Sequence, residues 1–335
     1  MMIVAKYPLS LTISFIFACV LLCLSFLASL TFGVADIAWL DLPQAFTAFD
    51  GSTSHLIITT IRLPRAIIAL LVGGGLGVAG SLMQGITRNP LADPSILGIN
   101  SGAVLAVVTM TFLLDNPSSN ILGLFAFLGA TLSAIAVYFF ASLNKKGLSP
   151  LSLTLAGSTI TVFCSSVTSG ILILNQRTLD EIRFWLAGSI TGRDIQFIKH
   201  IFPYFVIGLI LALILARQIT ILSLGEETAK GLGQNTLLIK IGGMIAVILL
   251  AGSSVSLAGP IGFIGLIMPH LVRLLVGNDY RWILPFSILG GAILLLNADI
   301  VSRLIIKPQE VPVGLILPIL GAPFFIYLIR KRIRG

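Results

Sequence analysis

The sequence predicts an all-α polytopic membrane protein of about ten transmembrane helices, and three observations carry that prediction. Of its 335 residues only 10% are charged, whereas a water-facing surface needs about 25%. Hydrophobic residues make up 56% of the chain, and the mean hydropathy is +1.05. The apolar runs are also long and unbroken, unlike the short alternating segments of a barrel strand. Hydrocarbon admits only structures that satisfy their own backbone, so these runs are read as helices.

The first run, from Leu9 to Phe32, is longer than a signal-peptide core of roughly 7–15 residues, and it shows no clear cleavage site. It is therefore read as a retained helix over 9–33. After a polar stretch (34–62), Pro64 opens a helix over 63–86, where a missing N–H costs nothing. Spans of about 20 apolar residues follow at 96–114, 119–143 and 151–174. Beyond the polar stretch 176–199 they continue at 200–222, 237–257, 262–277, 282–302 and 312–329, the run at 262–277 being the shortest. An even number of spans puts both termini on one side. Arg330, Lys331, Arg332 and Arg334 mark that side as cytoplasmic.

On this topology 13 of the 21 basic residues lie inside, among them Lys6, Lys145, Lys146 and Lys230. The net charge of +8 is accordingly read as positive-inside bias rather than as a nucleic-acid surface. Arg62, Arg65, Arg193 and Arg303 fall on the outer side, against that bias. No soluble domain fits, so residues 1–335 are read as a single permease domain carrying one cytoplasmic loop segment, 222–236. Cys19, Cys23 and Cys164 each sit in an apolar run without metal-ligand spacing and are expected to be inert buried thiols.

Four segments carry more information. In the first, Gly73, Gly74, Gly75, Gly77 and Gly80 form a small-residue surface that lets helices approach closely. No strand precedes them, so a nucleotide-binding reading is poor. Asn89, Pro90, Leu91 and Asp93 then break the chain, as a tight connection at least. In the second, Gly225, Glu226, Glu227, Ala229, Lys230 and Gly231 mix acidic, small and apolar residues like a short amphipathic helix. Leu222, Leu224 and Leu232 flank it, which suits either interfacial packing or docking into a partner's groove.

In the third, Gly259, Pro260, Gly262 and Gly265 interrupt helix at membrane depth, which is tolerated only where backbone is buried or lines a cavity. His270 follows and is read as structural. The fourth holds Asp299, Arg303 and Glu310. Outward arginines either snorkel to lipid phosphates or pair with carboxylates of an external partner. Ala79-Gly80 precedes Pro90 by the spacing at which Ala258-Gly259 precedes Pro269, a faint inverted repeat.

The strings RLPR, GITRNPLADPSILGINSGA, LAGSI, SLGEETAKGLG, AGPIGFIGLIMPHLVRLLVG and EVPVGLILPILGAPFFIYL, in this order, resemble the FecCD-type permeases of importers for ferric siderophores, haem and cobalamin. The resemblance runs from about residue 60 to the C-terminus. It implies a type II ABC importer permease architecture of ten helices and pairing with a second, identical or paralogous, permease. It also implies two cytoplasmic ATPase subunits that hold ATP and Mg, an extracytoplasmic substrate-binding protein, and a ferric siderophore as cargo. Arg62, Arg65 and Arg303 occupy the positions of arginines that dock onto glutamates of the binding protein. Gly225, Glu226, Glu227, Ala229 and Gly231 occupy the coupling segment that meets the ATPase. Asn89, Pro90 and Leu91 match one cytoplasmic gate loop. Pro150 and Leu151 fall at the other, where SPLS replaces a more hydroxyl-rich pattern. The chain itself is then a translocator rather than an enzyme, binds no cofactor and meets no nucleic acid.

Two rivals follow from the residues. An ion-coupled transporter needs ionisable groups deep in the membrane, and Asp299, near the outer end of its span, is the only acidic residue in a predicted helix. An intramembrane enzyme would need a nucleophile and base or a metal set, which His55, His200 and His270 do not supply. Nor does a GxxxxGK[ST] loop occur that would hydrolyse ATP in this chain.

Overall fold

A computed structural model describes residues 8–114, 117–143, 149–192 and 195–333. Lys6, Lys145, Lys146, Arg193 and Arg334, counted above for topology, lie outside the described residues. The helices in chain order are α1 (Pro8–Thr31), α2 (Asp41–Thr47), α3 (Thr53–Leu56), α4 (Leu63–Thr87), α5 (Ile99–Leu113), α6 (Ser119–Ser142), α7 (Pro150–Leu174) and α8 (Gln176–Leu186). They continue as α9 (Ile195–Ile214), α10 (Ala216–Ser223), α11 (Glu226–Gly231), α12 (Thr236–Ala258), α13 (Ile264–Val276), α14 (Tyr280–Leu304) and α15 (Val313–Ile333).

Each of the ten predicted spans holds a helix. Among the described residues seven continuous stretches are long and apolar enough to cross a membrane, while α5, α13 and 313–323 of α15 are shorter. The predicted span 200–222 divides at Leu215 into α9 and α10. The polar stretches hide more helix than expected, because α2, α3, a π turn (Ile57–Arg62) and α8 lie within them. The π turn joins α3 to α4 without a break.

α4 is the axis of the fold, and α12, α13 and α14 pack around it. Apart from Leu63, Ile67 and Leu70, every residue of α4 is buried. The glycine surface makes this possible. A methyl on Gly73 would overlap the Gly291 carbonyl of α14, one on Gly77 the Ser287 carbonyl, and one on Gly80 the Gly265 carbonyl of α13. Backbones in such contact gain dispersion that bulkier side chains would hold apart. α5, α6 and α7 form a second group, joined to the axis through α12. α1 lies outside, against α14, and only 6% of its apolar window is buried. Cys23 on it is exposed, which corrects the expectation that all three thiols are buried; Cys164 is buried.

Two breaks interrupt the bundle. Between α4 and α5 the chain turns at Arg88 (φ 50°) and re-enters the protein, burying Ala92, Pro94 and Leu97 before Gly98 (φ 67°) starts α5. The Ser133 hydroxyl of α6 donates to the Gly98 carbonyl at 2.8 Å. Between α12 and α13, Gly259 (φ 70°) sits against Trp185 and Gly188, and the chain reaches Gly80 only at Gly265. Phe263 adopts φ 71°, unusual for a bulky residue and a place where backbone strain is stored. The two breaks meet: a methyl on Gly265 would stand 2.9 Å from Asp93 Oδ2 and 3.0 Å from Pro94.

Candidate functional site

Three regions hold the residues singled out above: the end with the arginines, the opposite end, and the breaks between them. At the arginine end all three guanidinium groups turn inward, which corrects the expectation of free outward charge. Arg62, Arg65 and Arg303 are only 4%, 5% and 2% exposed. Arg62 donates to the carbonyls of Leu30, Thr31 and Ala35, closing the end of α1. Arg65 spans two carboxylates, with Nη2 2.8 Å from Asp299 Oδ1 and Nη1 2.6 Å from Glu310 Oε2. Arg303 Nη2 lies 2.9 Å from Asp299 Oδ2, and its Nη1 donates to the Ser29 and Phe32 carbonyls at 3.0 Å.

The reason is electrostatic. An isolated cation at this depth would be very costly, so each finds a carboxylate or a set of carbonyls. Sequence reading singled out Asp299 but not its role as the central, fully buried partner of two arginines. Its signal was present in the i,i+4 pair Asp299–Arg303 on one helix face. Bound by two arginines, Asp299 is not the solvated carboxyl that an ion-coupled carrier would use. Glu310 is the half-exposed member of the cluster, at the rim of a cavity of about 410 Å³ that Trp185, Ser189 and Glu181 also line.

At the opposite end the predicted short helix is α11, entered through Gly225 at φ 138°. Glu226 faces its own chain: its carboxylate lies 2.7 Å from Lys240 Nζ and 3.2 Å from Lys230 Nζ. The Lys240 hydrogen bond, foremost, holds the Glu226 carboxyl below the usual carboxylate range. Ala229 is fully buried, whereas Glu227 and Gly231 are exposed. The three flanking leucines divide: Leu222 anchors the segment, while Leu224 and Leu232 are 70% and 64% exposed. Glu226 is thus a clip, and the free surface is Leu224, Glu227, Gly231 and Leu232.

The residues matched to gate loops by resemblance lie near this end. Asn89 Oδ1 accepts from the Leu91 N–H at 3.0 Å, a local turn that leaves Leu91 48% exposed, and Pro90 is half-buried. Pro150 opens α7 behind a reciprocal cap between Ser149 and Ser152. Leu151 is 69% exposed. Arg88, Pro150, Glu226 and Lys240 line one crevice, so the end of α4, the start of α7 and the α11 clip converge; Asn89 and Leu91 stand outside it.

α7 is the least buried of the inner helices, with 17% of its apolar window covered. Thr154, Ser158, Thr161, Ser165 and Ser169 recur at helical spacing along it, and all but the half-buried Thr161 are exposed. Thr154 and Ser158 donate to the Pro150 and Leu155 carbonyls of their own helix and Thr161 meets Ser101, yet so polar a stripe suits a helix facing protein or water. No group of metal-ligating side chains occurs among the described residues.

A helical bundle with two breaks meeting at its axis, and an exposed hydroxyl-bearing face beside them, is a polytopic membrane architecture with a polar face at its side. The chain belongs to the FecCD transport family, matched over residues 21–331. It is 47% identical over 318 residues to a protein of Bacillus subtilis (strain 168) named probable siderophore transport system permease, covering 93% of this chain and 96% of the relative. To the ferric enterobactin transport system permease of Escherichia coli (strain K12) it is 41% identical over 307 residues, covering 92% of each. Its fold matches an inward-facing metal-chelate type ABC transporter, reported as putative, with a TM-score of 0.83 and 29% identity over 97% of this chain and 100% of that one.

Proposed function

We propose that this permease imports an iron(III)–siderophore complex across the cytoplasmic membrane, with both termini in the cytoplasm. The observation that carries the reading is the exposed hydroxyl face of α7 beside the two meeting breaks. A large polar chelate needs a wide path lined by hydroxyls and backbone. One chain supplies half of such a path, so a second permease, identical or paralogous, completes it. The names of the relatives, which specify siderophore and enterobactin transport, support a ferric chelate as cargo.

In this reading a separate pair of ATPase subunits binds ATP and Mg and pushes on Leu224, Glu227, Gly231 and Leu232, while Gly225, Glu226 and Ala229 hold that surface in shape. An extracytoplasmic binding protein delivers the chelate to the arginine end. There the partner's carboxylates meet guanidinium groups already held by Asp299 and Glu310, with Asp36 near Arg62. Arg62, Arg65 and Arg303 thus act from inside the docking surface. Asn89, Pro90, Leu91, Pro150 and Leu151 part at the cytoplasmic end as the two permeases rock. The chain catalyses no covalent step.

The test is uptake of radiolabelled iron in cells lacking and regaining this permease, across a panel of ferric siderophores, haem and cobalamin. Restored uptake of one ferric siderophore supports the reading. Restoration by haem or cobalamin alone reassigns the cargo.

A further inference from the structure

We infer that Gln84 and Arg273 are positioning residues that carry motion of the α10–α11 segment to the first turn of α13. The inference rests on the reading that this segment receives the push of the partner ATPase.

The chain of contacts begins in α10. Thr220 Oγ1 accepts from the Tyr280 N–H at 2.9 Å, fixing the start of α14 to α10. The Tyr280 hydroxyl accepts from Arg273 Nη2 at 3.0 Å. Arg273 Nη1 donates to Gln84 Oε1 at 2.6 Å, and Gln84 Nε2 donates onward to the Leu266 carbonyl at 3.3 Å. Four elements (α10, α14, α13 and α4) are therefore joined by one polar path.

Two features set this path apart from ordinary glue. Gln84 and Tyr280 are 3% and 2% exposed, yet Arg273 appears in none of the ion pairs among the described residues. Apolar packing would hold these helices at less desolvation cost, so a guanidinium satisfied by neutral acceptors suits a contact that is made and remade. The path also ends on a turn with nothing continuous behind it. Leu266 follows the break 259–263 and the strained Phe263, and the Gln84 amide adds a directed polar tie to α4 beside the Gly80–Gly265 backbone contact. Moving Tyr280 by a fraction of an ångström re-aims Arg273 and, through Gln84, the carbonyls at the break. A packed, strained element responds to such a shift by switching between arrangements rather than by bending smoothly.

The experiment uses the full permease–ATPase complex in proteoliposomes, with ATP hydrolysis and ferric chelate uptake measured together. Gln84→Glu keeps an acceptor for Arg273 but turns a carboxylate oxygen toward the Leu266 carbonyl. The expected result is uptake per ATP reduced about tenfold, with hydrolysis retained. Arg273→Lys, which keeps the charge but cannot bridge two acceptors, should show a smaller loss of the same kind and serves if Gln84→Glu fails to assemble. Unchanged uptake per ATP, or equal loss of hydrolysis and uptake, overturns the proposal. Leu224→Asp tests the underlying reading separately: if it leaves hydrolysis in the complex untouched, the docking surface is wrong, whatever Gln84→Glu does.

Discussion

Replacing Asp299 with asparagine removes one charge and almost no volume from the arginine cluster. The carboxylate it loses faces Arg65 at 2.8 Å and Arg303 at 2.9 Å, with both guanidinium groups nearly sealed from solvent. Removing one partner of a buried pair costs about 3–5 kcal/mol, because an uncompensated charge stays behind. Arg65 keeps Glu310 at 2.6 Å, so the lower figure applies, about 3 kcal/mol. At roughly 2–4 °C per kcal/mol for a large chain, the melting temperature in detergent should fall by about 6–12 °C. Tryptophan fluorescence reads the transition. Because the pair is buried, the drop should persist in high salt, where exposed pairs are screened. The double replacement Asp299→Leu with Arg303→Met removes both charges together and should recover at least half of the loss. A melting temperature for Asp299→Asn within about 1 °C of wild type would refute the cluster as the clamp of this end.

Gly80→Val would drive a branched side chain into the Gly265 carbonyl. It should cost about 3 kcal/mol or more, read as loss of monodisperse protein in size-exclusion chromatography, whereas Gly231→Ala, with open space around it, should elute unchanged. The Glu226 carboxyl is held low by Lys240, so its contribution is present above its unfolded value and lost as pH falls through the folded one. Acidification from pH 7 to below about 4 should lower the amide protection of α11, relative to the intrinsic exchange rate at each pH, by no more than about 1 kcal/mol, and Glu226→Gln should remove that loss of protection. With Cys19, Cys23 and Cys164 replaced, Ser165→Cys should react with a water-soluble thiol reagent in the assembled transporter and Leu132→Cys on α6 should not. Equal labelling would mean that the α7 face looks onto lipid.

Sequence reading placed the ten apolar helices because hydrophobic runs of membrane length have one structural outcome. It placed the interruption at Gly259–Gly265 because glycine and proline at that depth leave backbone groups that need internal partners. It failed where side chains choose partners across the fold. Nothing local says that Arg65 meets Asp299, more than two hundred residues away, so an arginine on an outer loop was read as outward charge. The same limit applies at Glu226, whose partner Lys240 lies a helix start away, and at Gln84, which looks like any polar residue in a glycine-rich helix. α8 lies in the polar stretch 176–199, where a short surface helix is compatible with the sequence but no long apolar run marks its bounds. The segments around Pro90 and Pro269 that share a spacing also flank the two breaks, which meet at Asp93, Pro94 and Gly265.

The most direct measurement is transport in proteoliposomes that contain this permease with the proposed ATPase subunits and, outside, the proposed binding protein loaded with ferric siderophore. Radiolabelled ferric siderophore should accumulate only with ATP inside, and a proton or sodium gradient without ATP should drive none. Accumulation driven by an ion gradient alone, or ATP-dependent transport that excludes every ferric siderophore tested, would contradict the account.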